Sequence, residues 1–114
     1  MIKKLLCIGL AVALLFCWIL PVFGAESPEY RTWLQSDSRW GSITFGTSDT
    51  MSKSGCAITS IAKAMVHSGA ASTDPAVFNP GIYCRWLKAN GGITPQGWIV
   101  WSKAADYSKN FSYY

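Results

Sequence analysis

The sequence predicts a small, mostly helical domain behind an N-terminal export segment. Three observations predict it. No charged residue lies between Leu5 and Ala25, so the apolar excess of a chain that is 50% hydrophobic sits mainly in that segment. From Gly55 to Ser68 the apolar residues Ile58, Ile61, Ala62, Met65 and Val66 recur at helical spacing. The stretches beyond, around Asp74, Ile82 and Thr94, carry helix start and stop signals rather than strand alternation. The formal net charge is +4 over 114 residues, but eight Lys/Arg and six Asp/Glu follow Ala25, so the part that folds is only mildly basic. This composition excludes a disordered chain, a repeat array, a collagenous chain and a strongly basic nucleic-acid binder. The exported residues suffice for one small domain or part of a larger one.

The first segment has the order of a secretory signal. Lys3 and Lys4 precede the apolar run Leu5–Leu20, Pro21 ends it, and Gly24 and Ala25 are small residues suited to cleavage. Residues 1–24 are therefore expected to be a signal peptide, cut after Gly24 or Ala25. The alternative is an uncleaved membrane anchor, since the run is just long enough to span a bilayer. Phe16 before Cys17 argues against a lipid-attachment site. Export removes Cys7 and Cys17 and leaves Cys56 and Cys84, for which one disulfide is the simplest reading.

In the exported part, Glu26–Glu29 reads as a polar spacer and Tyr30–Trp40 as an extended, aromatic-rich segment packed on the domain. Gly41–Ser54 reads as loop, with at most a short strand at Ile43–Phe45. Ser54 is the expected N-cap of the Gly55–Ser68 helix, and Gly69 its terminator. Thr73-Asp74-Pro75 predicts a short second helix ended by Asn79-Pro80-Gly81. Ile82, Tyr83, Trp86 and Leu87 form a third helical face, stopped at Asn90-Gly91-Gly92. Thr94-Pro95 opens a fourth, with Trp98, Trp101 and Ala105 expected inward.

Cys56 falls in the first turn of the main helix. Unpaired N–H groups and the helix dipole favour a thiolate over a thiol at such a place, which is how a cysteine becomes a nucleophile. Gly55 before it is expected to leave room for a substrate. The competing reading is a small buried residue or a half-cystine.

The ordered series Trp33-Leu34-Gln35-Ser36-Asp37-Ser38-Arg39-Trp40, Phe45-Gly46 and Ser54-Gly55-Cys56-Ala57-Ile58-Thr59-Ser60 resembles one family. Thr73-Asp74-Pro75, Trp86-Leu87-Lys88, Asn90-Gly91-Gly92 and Trp98-Ile99-Val100-Trp101 continue the likeness. It is similar to papain-like cysteine peptidases related to the bacterial bacteriocin leader-processing peptidases, in their secreted or cell-wall-associated branch. The resemblance implies an α+β fold, of which residues 25–114 would be the helical part, with the β-rich half missing. It implies Cys56 as nucleophile and Gln35 as side-chain donor to the oxyanion, with the Cys56 N–H as second donor. It implies a peptide or cell-wall peptide as substrate, and neither a cofactor nor a metal. Asp37 and Trp40 are expected to fix the loop and pack the core.

Such a peptidase also needs an imidazole beside the thiol and an Asp or Asn to orient it. The only histidine is His67, 11 residues beyond Cys56 on the same predicted helix. At ~1.5 Å per residue that is roughly 16 Å away, against a reach of about 3 Å. Two cysteines and one histidine also fall short of a four-ligand zinc centre. The expected product is thus an exported thiol-peptidase-like chain, inactive by itself, its apolar face partly uncovered. The alternatives are a non-catalytic exported binding module using its tryptophans, and a membrane-anchored small protein.

Overall fold

Two tryptophans set the course of the first segment. Trp33 and Trp40 are each 1% exposed and meet edge to face with ring centroids 6.1 Å apart. The Trp40 indole N–H donates to the Leu34 carbonyl at 2.8 Å, which closes residues 34–40 into a loop over the core. The computed structural model describes residues 28–109 and 111. The expected signal segment and its cleavage sites lie outside them. The described residues form a small mixed domain of helices and one two-stranded sheet, compatible with an α+β fold.

A 3₁₀ turn, Glu29–Thr32, leads into the tryptophan loop. Strands β1 (Thr44–Phe45) and β2 (Asp49–Thr50) then pair antiparallel, Thr44 opposite Thr50 and Phe45 opposite Asp49. Phe45 points inward at 3% exposed, so the strand expected near Ile43–Phe45 is present. Next comes a single helical turn where the sequence predicts loop, α1 (Met51–Ser54). Thr50 caps it, accepting from the Lys53 N–H at 3.3 Å. Helix α2 (Cys56–His67) follows after Gly55 alone. Ser54 is therefore not its N-cap. It is the last residue of α1, and its hydroxyl donates to Asp49 Oδ1 at 3.2 Å. The cap moved one turn upstream because Thr50 already starts the helical path.

The end of α2 follows expectation. Gly69 at φ +82° allows the Ala70 N–H to reach the Met65 carbonyl at 2.8 Å and the Gly69 N–H to reach Val66 at 3.1 Å. The helix expected from Thr73-Asp74-Pro75 is only a turn. Asp74 caps it, receiving the Ala76 N–H on its side chain and the Val77 and Phe78 N–H groups on its carbonyl, each at 3.0 Å. It has no length to grow, because Asn79 starts the next helix, α3 (Pro80–Ala89), instead of ending a previous one. Asn79 Oδ1 accepts the Ile82 N–H at 2.9 Å, and Pro80 occupies the first helical position, where its missing donor costs nothing.

Between α3 and the short helix α4 (Trp101–Ala104), Ile93 and Ile99 form an isolated antiparallel bridge. The fourth helix thus starts later than Thr94-Pro95. Trp98 and Trp101 face outward at 71% and 50% exposed, a correction to their expected inward positions. The bridge turns Trp98 away, and the inward place on α4 goes to Ala104. A 3₁₀ turn, Ala105–Tyr107, brings Tyr107 against Phe78, with centroids 5.1 Å apart.

The core joins Ile58, Ala62 and Met65 of α2 to Tyr83, Cys84 and Leu87 of α3, with Met51, Phe78 and the two tryptophans around them. Full burial of each large side chain is worth about 1.5–3 kcal/mol, which makes this aromatic-rich interior the main source of order around α2. No described helix is long and apolar enough to cross a membrane.

Candidate active site

Gln35 and Cys56 line one groove of about 230 Å³ between the tryptophan loop and α2. The Cys56 thiol is exposed. Gln35 is held from both sides in sequence by the buried Trp33 and Trp40, and its side-chain amide donates to the Ser52 carbonyl at 3.0 Å. Ser52 belongs to the turn leading into Cys56, so the amide is fixed beside the start of α2. A carboxamide nitrogen carries two N–H donors, and this bond uses one of them.

The loop carrying Gln35 is stiffened by charge. Arg39 pairs with Asp37 at 2.9 Å and also with Glu29, while its guanidinium lies over the Trp40 ring, 4.5 Å from the centroid. Hydrogen bonding from Arg39 holds the Asp37 carboxyl below the usual carboxylate range, and the same bond raises Arg39. Asp37 and Trp40 are therefore structural here. On the other wall, Lys63 of α2 donates to the carbonyls of Arg31 and Trp33 at 3.1 and 3.4 Å, fastening the helix to the loop.

Two expectations about Cys56 change. It is not at an open helix terminus, because α1 precedes it and the Gly55 N–H already bonds the Met51 carbonyl at 2.8 Å. Gly55 makes no space for a substrate either. It is buried, and a Cβ there would stand 2.5 Å from the Met51 carbonyl oxygen and 2.8 Å from the Met51 sulfur. Its glycine is required by the close junction of α1 and α2.

No family model, curated protein or solved structure matches the chain.

Cys84 stands apart from Cys56. It is fully buried on α3, its thiol pushed up by burial, and both cysteines are free, so the pair forms no disulfide here. His67 closes the far end of α2, exposed and joined to the Tyr30 hydroxyl through Nδ1 at 2.9 Å. The structure does not bring it to Cys56. Among the described residues, no three His, Cys, Asp or Glu side chains gather in a metal-binding group.

The sequence assigns no role to two further groove residues. Thr59 is 5% exposed, and its hydroxyl has no hydrogen-bond partner among the described residues. A buried hydroxyl left unpaired costs about 1–3 kcal/mol, so its position is unusual. Lys63 lies one turn further along. The spacing of Cys56, Thr59 and Lys63 marks one helix face and was available from sequence, but the unpaired state of Thr59 was not. Around α2 from this groove, Ile61, Ala64, Trp101, Ala104 and Phe111 line a second, almost wholly apolar one, also about 230 Å³. It is where α2 presents apolar surface that α3 does not cover.

Proposed function

We propose that this chain carries the nucleophile side of an exported papain-like thiol peptidase, acting on peptide or cell-wall peptide bonds. Cys56 is the nucleophile and Gln35 the oxyanion donor. The observation that carries the reading is their convergence on one groove, with the thiol exposed and the amide anchored to the turn before it. The thiolate adds to the substrate carbonyl carbon, and the carbonyl electron pair moves onto oxygen, where the second Gln35 N–H receives the charge. Collapse of that adduct expels the amine, which must first gain a proton. His67, the chain's one histidine, is held by Tyr30 at the other end of α2 and cannot supply it. The 114 residues alone therefore turn over no peptide, and a partner His from outside them is needed. Export follows the N-terminal signal, so the processed chain begins at Ala25 or Glu26 and acts outside the cytoplasm or at the wall.

The test is peptide hydrolysis by the chain and by its His67→Ala variant, each alone. No turnover in either is expected. Turnover lost on removing His67 would overturn the assignment of roles. A non-catalytic binding module is the second reading, favoured by the outward Trp98 and Trp101. It predicts glycan- or peptide-induced change in tryptophan fluorescence that Trp98→Ala and Trp101→Ala abolish and Cys56→Ser leaves intact.

A further inference from the structure

We propose that the apolar groove lined by Ile61, Ala64, Trp101, Ala104 and Phe111 is a substrate subsite, which receives an aromatic or aliphatic side chain of the peptide held at Cys56; this rests on the peptidase reading and names its substrate class. Ser60 supplies the first observation. It lies one helical turn after Cys56, is exposed, and lines both this groove and the one that holds Cys56 and Gln35. The two grooves adjoin across a single small side chain, a sill that an extended peptide can cross. Lys63 supplies the second. It lines the Cys56 groove, and its ammonium donates to the Arg31 and Trp33 carbonyls of the opposite wall at 3.1 and 3.4 Å. That bar stands seven residues beyond Cys56, roughly 10 Å along the axis at ~1.5 Å per residue. A peptide running along α2 from the thiol meets it and has its open course over Ser60.

Beyond Ser60 the lining is apolar side chains alone. Trp101 is half exposed and Ala64 is exposed, so these walls are open to a ligand rather than spent on the core. They offer no partner to a charged or hydrogen-bonding group, and burial against them favours apolar surface only. Size narrows the ligand further. Pockets that enclose whole small molecules run to about 300–1,000 Å³. This groove, at about 230 Å³, falls below them and suits one large side chain. Helical geometry then fixes the spacing. Ile61 and Ala64 follow Cys56 by five and eight residues, roughly 7–12 Å along the axis at ~1.5 Å per residue. An extended peptide advances about 3.3 Å per residue, which places the favoured side chain about two to four residues from the carbonyl that Cys56 attacks.

The experiment compares two uncharged alkylating peptides, chloroacetyl-Gly-Gly-Phe-amide and chloroacetyl-Gly-Gly-Gln-amide, on the full chain. The Cys56 thiolate displaces chloride: a sulfur–carbon bond forms, the carbon–chlorine bond breaks, and chloride leaves with the electron pair. Peptide mapping by mass spectrometry follows Cys56 separately from the other cysteines. The Phe reagent should label Cys56 about fivefold faster or more, an advantage that added salt does not reduce, because no charge is involved. Ala64→Gln places a polar side chain in the groove at an exposed helix position. It should bring the ratio near one and leave the melting temperature almost unchanged. Trp101→Ala removes one wall and should lower the ratio as well. Val77→Ala removes an exposed apolar side chain outside the groove and should leave it as it was. Equal rates for the two reagents on the unaltered chain, or a ratio that survives both Ala64→Gln and Trp101→Ala, would overturn the proposal. Equal rates from a chain that sediments as a dimer would give the groove to a second copy and overturn it too. None of these outcomes depends on hydrolysis. Equal rates alongside Gln35-dependent capture of a peptide aldehyde would remove the apolar subsite alone, whereas a preference without such capture would remove the peptidase reading alone.

Discussion

Replacing Gly55 with alanine should strike the fold and the thiol site together. An ideal Cβ at Gly55 meets the Met51 carbonyl oxygen at 2.5 Å, the Met51 sulfur at 2.8 Å and the Met51 Cα at 2.9 Å. Two of these atoms are backbone, and Met51 is 0% exposed, so no side-chain rotation relieves the overlap. Forcing a methyl into packed structure costs about 1–3 kcal/mol. The backbone at φ −81° suits alanine, which returns about 0.4–1 kcal/mol through the unfolded chain. A net loss of about 1–2 kcal/mol follows, and at about 4–8 °C per kcal/mol for a domain of this size the melting point should fall by roughly 4–16 °C. Thermal unfolding followed by far-ultraviolet circular dichroism reads this directly. Parting α1 from α2 also moves Ser52, so the Gln35 anchor should loosen and the labelling rate of Cys56 should change. Gly69→Ala is the control. Its φ is +82° and open space surrounds it, so it carries backbone strain alone and leaves Cys56 labelling as it was. A Gly55→Ala chain melting at or above the unaltered one would refute the claim that this glycine exists for the α1–α2 junction.

Tyr83→Phe should cost about 1 kcal/mol in denaturant unfolding, because it removes the buried bond from the Tyr83 hydroxyl to the Ala104 carbonyl at 2.6 Å; an unchanged midpoint would contradict this. Burial raises both Tyr83 and Cys84, so each stays neutral in the folded state at a pH where the unfolded chain ionises. Their contribution is fully present below their unfolded values and lost as pH rises through the window above them. Stability should therefore decline from about pH 9 upward, and Cys84→Ala should blunt the first part of that decline. Native alkylation followed by mass mapping should label exposed Cys56 before buried Cys84 and recover both as thiols; a Cys56–Cys84 disulfide would contradict the separation.

The bodies of the two long helices are legible in the sequence because their apolar spacing has one meaning. The apolar spacing of Ile58, Ala62, Met65 and Val66 matches the buried face of α2, and Gly69 and Gly91 end their helices with positive φ. Misreadings arose where one residue type serves opposite ends of a helix. Proline is at home both in a first helical turn and just past a last one, so Asn79-Pro80 reads equally well as a stop or a start. What decides is whether Asn79 finds the Ile82 N–H, a contact that sequence does not display. A helical period puts Trp98 and Trp101 inward, but the Ile93–Ile99 bridge interrupts that period. Of the site, Cys56 and Gln35, the two residues to which the family resemblance points, line one groove. The upstream turn α1 was hidden in a stretch rich in Ser, Thr and Lys, and with it the true role of Gly55.

Capture of a peptide aldehyde tests most directly whether Cys56 and Gln35 act as nucleophile and oxyanion donor. The thiolate adds to the aldehyde carbon, the carbonyl pair moves to oxygen, and the tetrahedral adduct needs no leaving group, so the missing imidazole is not required to expel one. Carbon NMR of a labelled aldehyde titrated into the full chain reads adduct formation and its dissociation constant. Cys56→Ser should abolish the adduct signal. A hydrogen bond to a charged oxygen is worth about 1.5–3 kcal/mol, so Gln35→Ala should weaken capture by about tenfold or more. An adduct of unchanged affinity in Gln35→Ala, or one that persists in Cys56→Ser, would contradict the account.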